Sequence, residues 1–199
     1  MKHLLITGFD PFGGASVNPA WEAVRVLPDK IGDYALTKLE IPTVFGCAAE
    51  RVLSAVQSMP TPPDVILCIG QAGGRAAVTP EMVAINYRHA SIADNRGNLI
   101  RESAIIEGAP AAYFATVPVQ RMTEAIAACA LPAQTSYSAG TFVCNDVLYL
   151  LLHRFSSGQT RVGFIHVPFL PEQVRDTHTP SLPLDDTVRA LTAAIGALE

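Results

Sequence analysis

D-V-I-L-C-I, residues 64–69, reads as one continuous apolar strand. Strands apolar on both faces belong to sheets covered by helices above and below, so this run argues for a layered α/β architecture. Upstream of it, Phe45 to Met59 carries helical spacing in Ala48, Val52, Ala55 and Val56, and Asp33 to Ile41 alternates weakly as a second strand. Residues 3–8 form a short apolar strand, followed by the loop Gly8-Phe9-Asp10-Pro11-Phe12-Gly13-Gly14. Asn18-Pro19 then supplies an N-cap and a first-position proline for a helix through Val26.

Downstream, Gly70 to Arg75 is a glycine-rich loop, Pro80-Glu81 leads into the apolar run Met82 to Ile85, and Asn86 to Glu102 is a polar surface excursion. Ala111 to Val117 reads as a strand, Gln120 to Ala130 as a helix ended before Pro132, and Gln134 to Tyr137 as a strand feeding a turn at Ala139-Gly140-Thr141. Arg161 to Val167 is the last clear strand, and Asp185 to Leu198 an amphipathic helix. Strands alternating with helices along 199 residues give one domain, residues 1–199, with a largely parallel, three-layer α/β/α core.

Composition removes several function classes. With 14 Lys and Arg against 18 Asp and Glu, the net charge is -4 and no basic stripe exists, so no nucleic-acid partner is expected. Cys47, Cys68, Cys129 and Cys144 form no C-x-x-C pair or Cys/His cluster, which suggests neither a metal site nor a redox motif. Spread thiols read as reduced and cytoplasmic. The N-terminus is too briefly apolar for a signal, and the uncharged run Ala125 to Asn145 is broken by Pro132, Gln134, Thr135 and Gly140, so no membrane partner is expected.

Chemistry concentrates at S-A-G-T-F-V-C-N, residues 138–145, which leads into the leucine-rich run ending at Phe155. Cys144 falls in the first turn of that helix, where free N–H groups and the macrodipole are expected to lower the thiol from ~8.5 towards neutrality. Buried cysteines are commonly structural, and Cys47, Cys68 and Cys129 are read that way. Cys144 differs in following a glycine turn and standing beside Asn145 and Asp146.

A cysteine nucleophile needs a base, and five histidines compete. His153 is nine residues along the same helix and on its opposite face. His3 is at the wrong end of its strand, and His89 and His178 lie in polar loops. His166 ends the strand 162–165, where open α/β sheets place their ligands, and is the best placed partner. For the acid that would orient it, Glu81, Asp94, Asp10 and Asp146 all remain open. Phe9 and Phe12 flank the first loop as walls of an apolar site, while Gly70 to Gly74 fits neither common phosphate-binding pattern.

T-G-F-D-P-F-G-G at 7–14, N-P-A-W-E-A-V at 18–24, G-Q-A-G-G-R at 70–75, T-P-E at 79–81 and S-A-G-T-F-V-C-N at 138–145 together resemble the pyroglutamyl-peptidase I family of cysteine peptidases. The resemblance implies an open, twisted α/β/α sandwich and hydrolysis of N-terminal pyroglutamyl residues from peptides. It implies Cys144 as nucleophile, His166 as general base and acid, and Glu81 as the orienting acid. It further implies Phe9, Phe12 and Phe142 around the lactam ring, Gln71 contacting it through its backbone, no metal or organic cofactor, and a cytoplasmic homo-oligomer, dimer or tetramer. One departure stands out: where the family reads D-A-R-I-P-D-N, this chain reads H-A-S-I-A-D-N from His89 to Asn95. Ser91 replaces an arginine near the oxyanion, and Arg88 is the candidate to support the oxyanion in its place. Two other readings fit the residues less well. A weakened or inactive relative that only binds a lactam or pyroglutamyl peptide has no use for an activated thiol, and a nucleotide module would need a loop lysine that is missing.

Overall fold

A computed structural model describes residues 1–199. The main sheet has six strands in the order β2-β3-β1-β4-β8-β5. These are β1 (Lys2–Phe9), β2 (Lys30–Ile31), β3 (Tyr34–Ile41), β4 (Val65–Gln71), β5 (Thr79–Pro80) and β8 (Arg161–Val167). The central four, β3, β1, β4 and β8, run parallel, while the two-residue edge strands β2 and β5 are antiparallel to their neighbours. β6 (Val83–Ile85) and β7 (Ala112–Phe114) pair separately. Five helices cover the sheet: α1 (Pro19–Val26), α2 (Cys47–Gln57), α3 (Val119–Ala128), α4 (Val143–Arg154) and α5 (Leu184–Gly196). None is long and apolar enough to cross a membrane.

The period-2 alternation of the strands sorts the core into two layers. Leu4, Ile6, Leu67, Ile69, Ile165 and Val167 pack with α1, α3 and α5. Leu5, Ile66, Cys68, Val162 and Phe164 pack with α2 and α4. β4 lies at the centre, buried on both faces from Val65 to Gly70, as its unbroken apolar run requires. At the start of α1, Asn18 Oδ1 accepts from Ala20 N at 3.0 Å, and Pro19 occupies the first turn.

Two sequence expectations change. The strand read over Ala111 to Val117 shrinks to β7 and leaves the main sheet to pair with β6. Gln134 to Tyr137 forms no regular strand; it lies beside residues 78–82 through isolated parallel bridges, Val78 with Ala133 and Glu81 with Ser136. Pro80 in the partner segment has no N–H to donate, so the ladder is interrupted there. Four backbone bonds still hold it: Val78 N to Pro132 O, Gln134 N to Val78 O, Ser136 N to Pro80 O and Met82 N to Ser136 O.

Candidate active site

The carboxyl ends of β1, β4 and β8 bring Phe9, Gln71 and His166 to one edge of the sheet, where α/β folds bind ligands. His166 has the same parity as Val162 and Phe164, so its side chain faces the α4 layer. Gly70 is its register partner on β4, one strand spacing (~4.8 Å) away. A Cβ at Gly70 would lie 3.0 Å from Cys144 Sγ and 2.7 Å from Phe164 Cζ. The sulfur therefore occupies the space that this glycine leaves open, beside the imidazole. Cys144 and His166 line one cleft of about 440 Å³, and no direct hydrogen bond links their side chains.

Glu81 reaches His166 by an antiparallel crossing of 85 residues. β5 pairs Thr79 with His166 and Pro80 with Ile165, and Glu81 N then donates to Phe164 O at 2.9 Å. That register carries the Glu81 carboxylate, 0% exposed, to 2.7 Å from His166 Nδ1. The same oxygen, Oε1, accepts from Arg75 Nη1 at 2.7 Å, while Oε2 is buried without a partner. Arg75 also donates to Thr79 Oγ1 (2.6 Å), Ser136 Oγ (3.3 Å) and the Ser138 carbonyl (3.1 Å). It thus ties the acid to the loop that carries the thiol.

Cys144 is the second residue of α4. The first helical bond runs from Asp146 N to Phe142 O, so the N–H groups of Val143, Cys144 and Asn145 have no acceptor within the protein. These are donors for an anion at the helix terminus. The terminus is held firmly. Asn145 exchanges bonds with Ile85 and donates to Tyr87 O, while Thr141 Oγ1 donates to His89 O and His89 N to Thr141 O. Asp146 accepts from Gly46 N, which begins α2, and from Arg88 Nε.

The ionisation states differ from the expectation of a thiol drawn towards neutrality. Burial, with the Glu81 carboxylate, pushes the Cys144 thiol up to about 12, outweighing Arg75 and the helix amide. Burial also holds His166 below its usual value in spite of Glu81. Burial works against the Glu81 charge too, yet its bond to His166 above all, with a smaller part from Arg75, keeps its pKa below the ordinary carboxylate range. At neutral pH the resting pair is a thiol beside a neutral imidazole whose Nδ1–H points at a carboxylate. The arrangement has the form of nucleophile, base and orienting acid.

The walls of the cleft come from Phe9, Phe12, Phe142 and Gln71, with Asn18 and Thr43. Phe12 and Phe142 stand 6.2 Å apart, and Phe45 meets Phe142 edge-on at 5.2 Å behind the wall. Arg88 does not join the cleft. Its guanidinium is 2.5 Å from buried Asp146 Oδ1 and lies over the Phe45 ring, so it anchors the helix instead of facing an oxyanion. Ser91 is exposed and also outside the cleft. Asp10 and Asp94 serve loops: Asp10 accepts from Thr43 N and Asn95, and Asp94 from Phe45 N and the turn 96–98. Sequence reasoning passed over Arg75, the single Arg or Lys among the residues lining the cleft. Its place in a glycine-rich loop after β4 was the available signal.

A family profile described as pyroglutamyl peptidase matches residues 2–199. The chain belongs to the pyroglutamyl peptidase family. It is 50% identical over 198 residues to the pyrrolidone-carboxylate peptidase of Levilactobacillus brevis, covering 98% of this chain and 96% of that one. The Staphylococcus saprophyticus protein of the same name is also 50% identical, over 98% of this chain and 92% of its own. The fold superposes on pyroglutamyl peptidase I of Bacillus amyloliquefaciens with a TM-score of 0.94 at 44% identity, covering 100% and 97% of the two chains. On the pyrrolidone carboxyl peptidase of Thermococcus litoralis the TM-score is 0.92 at 33% identity, with 100% and 93% covered. Family membership makes this chain a peptidase of the cysteine class.

Proposed function

We propose that this protein hydrolyses the N-terminal pyroglutamyl residue from peptides through a thioester on Cys144. The observation that carries the reading is the packing of Cys144 Sγ over Gly70, beside a His166 whose Nδ1 is bonded to buried Glu81, at the wall of an aromatic cleft. Pyroglutamate is a flat, uncharged lactam, which suits rings and backbone groups better than ion pairs. Phe9, Phe12 and Phe142 flank the ring in this reading, and the backbone of Gln71 holds its amide.

With Nδ1–H given to Glu81, the Nε2 lone pair of His166 takes the Cys144 proton as sulfur attacks the pyroglutamyl carbonyl. The carbonyl oxygen becomes an oxyanion, and the Cys144 N–H at the start of α4 stabilises it. Imidazolium then protonates the departing amine, the C–N bond breaks, and the thioester remains. His166 next draws a proton from water, whose oxygen displaces the thiol and releases pyroglutamate. The reading assigns no step to a metal or organic cofactor and carries with it a cytoplasmic, homo-oligomeric enzyme.

The test is release of 7-amino-4-methylcoumarin from its pyroglutamyl amide. Wild-type cleavage that vanishes in Cys144→Ala and falls by ~10³-fold or more in His166→Gln supports the assignment. Cleavage that survives Cys144→Ala sinks it. Light scattering on the same sample reads the assembly state.

A further inference from the structure

Next to the cleft around Cys144 is a second cavity of about 510 Å³, lined by Ala76, Ala77, Thr79, Gln134, Ser136 and Tyr137 among others. The two share Arg75 and Ser138. Three observations bear on its use. The first is its direction. In the strand order β1-β4-β8-β5, Phe9 stands two strands before His166, whereas Thr79 lies one strand beyond it and directly opposite it. The second cavity, lined by Thr79, therefore lies on the opposite side of His166 from Phe9 and the ring-binding wall.

The second observation is an open backbone edge. Pro132 O, Gln134 N and both backbone groups of Ser136 are spent on residues 78–82. Alternation turns the N–H groups of Thr135 and Tyr137 the other way, and neither has an acceptor in the protein. Such an edge is the template on which an extended peptide adds as a strand. The third is the lining itself, which holds small or uncharged side chains apart from Arg75, whose guanidinium is bound to Glu81 and Ser138.

We propose that this second cavity is the subsite for the two residues that follow pyroglutamate, docked in extended form against the backbone of Thr135 and Tyr137 and favouring uncharged side chains. The inference rests on the peptidase reading. Binding energy gained there is remote from the chemistry and raises kcat/KM for peptides over small amides.

The experiment compares pyroglutamyl-alanyl-alanine amide with the pyroglutamyl coumarin amide in wild type, Ala76→Trp and Thr135→Pro. Ala76 is exposed, so tryptophan there fills the cavity without entering the core. Proline at 135 deletes one edge N–H. Each backbone bond contributes about fivefold, so the peptide-to-coumarin ratio of kcat/KM is expected to fall about fivefold in Thr135→Pro. It should fall tenfold or more in Ala76→Trp, because the coumarin needs only the first of the two positions while the peptide needs both. Should Thr135→Pro misfold, Ala76→Trp carries the test alone. An unchanged ratio in Ala76→Trp overturns the subsite. Absence of coumarin cleavage by wild type overturns the peptidase reading itself, a distinct result.

Discussion

Replacing Arg75 by glutamine removes one of the partners that, with His166, hold Glu81 ionised. Glu81 is fully buried, and its Oε1 is shared between His166 Nδ1 and Arg75 Nη1 at 2.7 Å each. Removing one partner from a buried ion pair costs ~3–5 kcal/mol. The Arg75 side chain is 33% exposed, so solvent screening reduces this to ~2–3 kcal/mol. In a chain of this size that lowers Tm by roughly 4–12 °C. The larger effect is on protonation. Without the cation, the Glu81 pKa rises, and a protonated Glu81 no longer fixes the imidazole tautomer. Tautomer errors of this kind cost up to ~10⁴-fold. With partial protonation at pH 7, kcat in Arg75→Gln should fall on the order of 10²-fold, with KM within ~3-fold. The acid limb of kcat/KM should move to higher pH, with activity recovering as Glu81 regains its charge. The assay is a pH 4–9 profile of pyroglutamyl coumarin amide cleavage for wild type, Arg75→Gln, Glu81→Gln and the double variant. If Arg75 acts through Glu81, its loss in the Glu81→Gln background costs little. Equal costs in both backgrounds, or an unmoved acid limb, would refute the reasoning.

Gly70→Ala should cost ~1–3 kcal/mol and at least tenfold in kcat, because its Cβ meets Phe164 at 2.7 Å and Cys144 Sγ at 3.0 Å; a fully active, equally stable variant would contradict the packing of the sulfur. With the Cys144 thiol near 12, iodoacetamide alkylation of the free enzyme should climb from pH 7 to 9 without levelling. A plateau below pH 7 would instead reveal a preformed thiolate–imidazolium pair. The folded pKa of His166 is lowered, so the unfolded chain binds its proton first and stability declines as pH falls below ~6.5. Glu81 and Asp94, also lowered, add a second decline below ~4.5. Tm measured against pH should lose the upper step in His166→Gln, and an unchanged curve would assign that step elsewhere.

Local signals carried most of the fold. The apolar run 64–69, the Asn18-Pro19 helix start and the glycine turn before Cys144 each act over a few residues, and each appears where its chemistry puts it. His166 was legible for the same reason, as a histidine ending a strand. Glu81 was not separable from other carboxylates by spacing, because it meets His166 through a two-residue antiparallel strand containing proline, a weak signal spanning 85 residues. The family motifs singled it out. Arg75 and Arg88 show the limit of reading charge from sequence. One is bound to the candidate acid and the other to a helix-capping aspartate, and the choice depends on which carboxylate the fold brings near. The expected low thiol pKa failed for a similar reason: the helix terminus acts locally, while burial and the Glu81 charge arrive only with tertiary structure.

Asp146 and Gly46, 100 residues apart in the chain, link the starts of two helices. Asp146 sits in the first turn of α4, yet it accepts from Gly46 N, and Gly46 has no side chain with which to cap α2 itself. The opening turns of α2 and α4 therefore belong to one cooperative opening unit, and fraying of either exposes the other's amides. In native-state hydrogen exchange the amides at the two helix starts should share one opening free energy. The reactive sulfur then inherits the kinetic protection of a helix that begins almost a hundred residues before it.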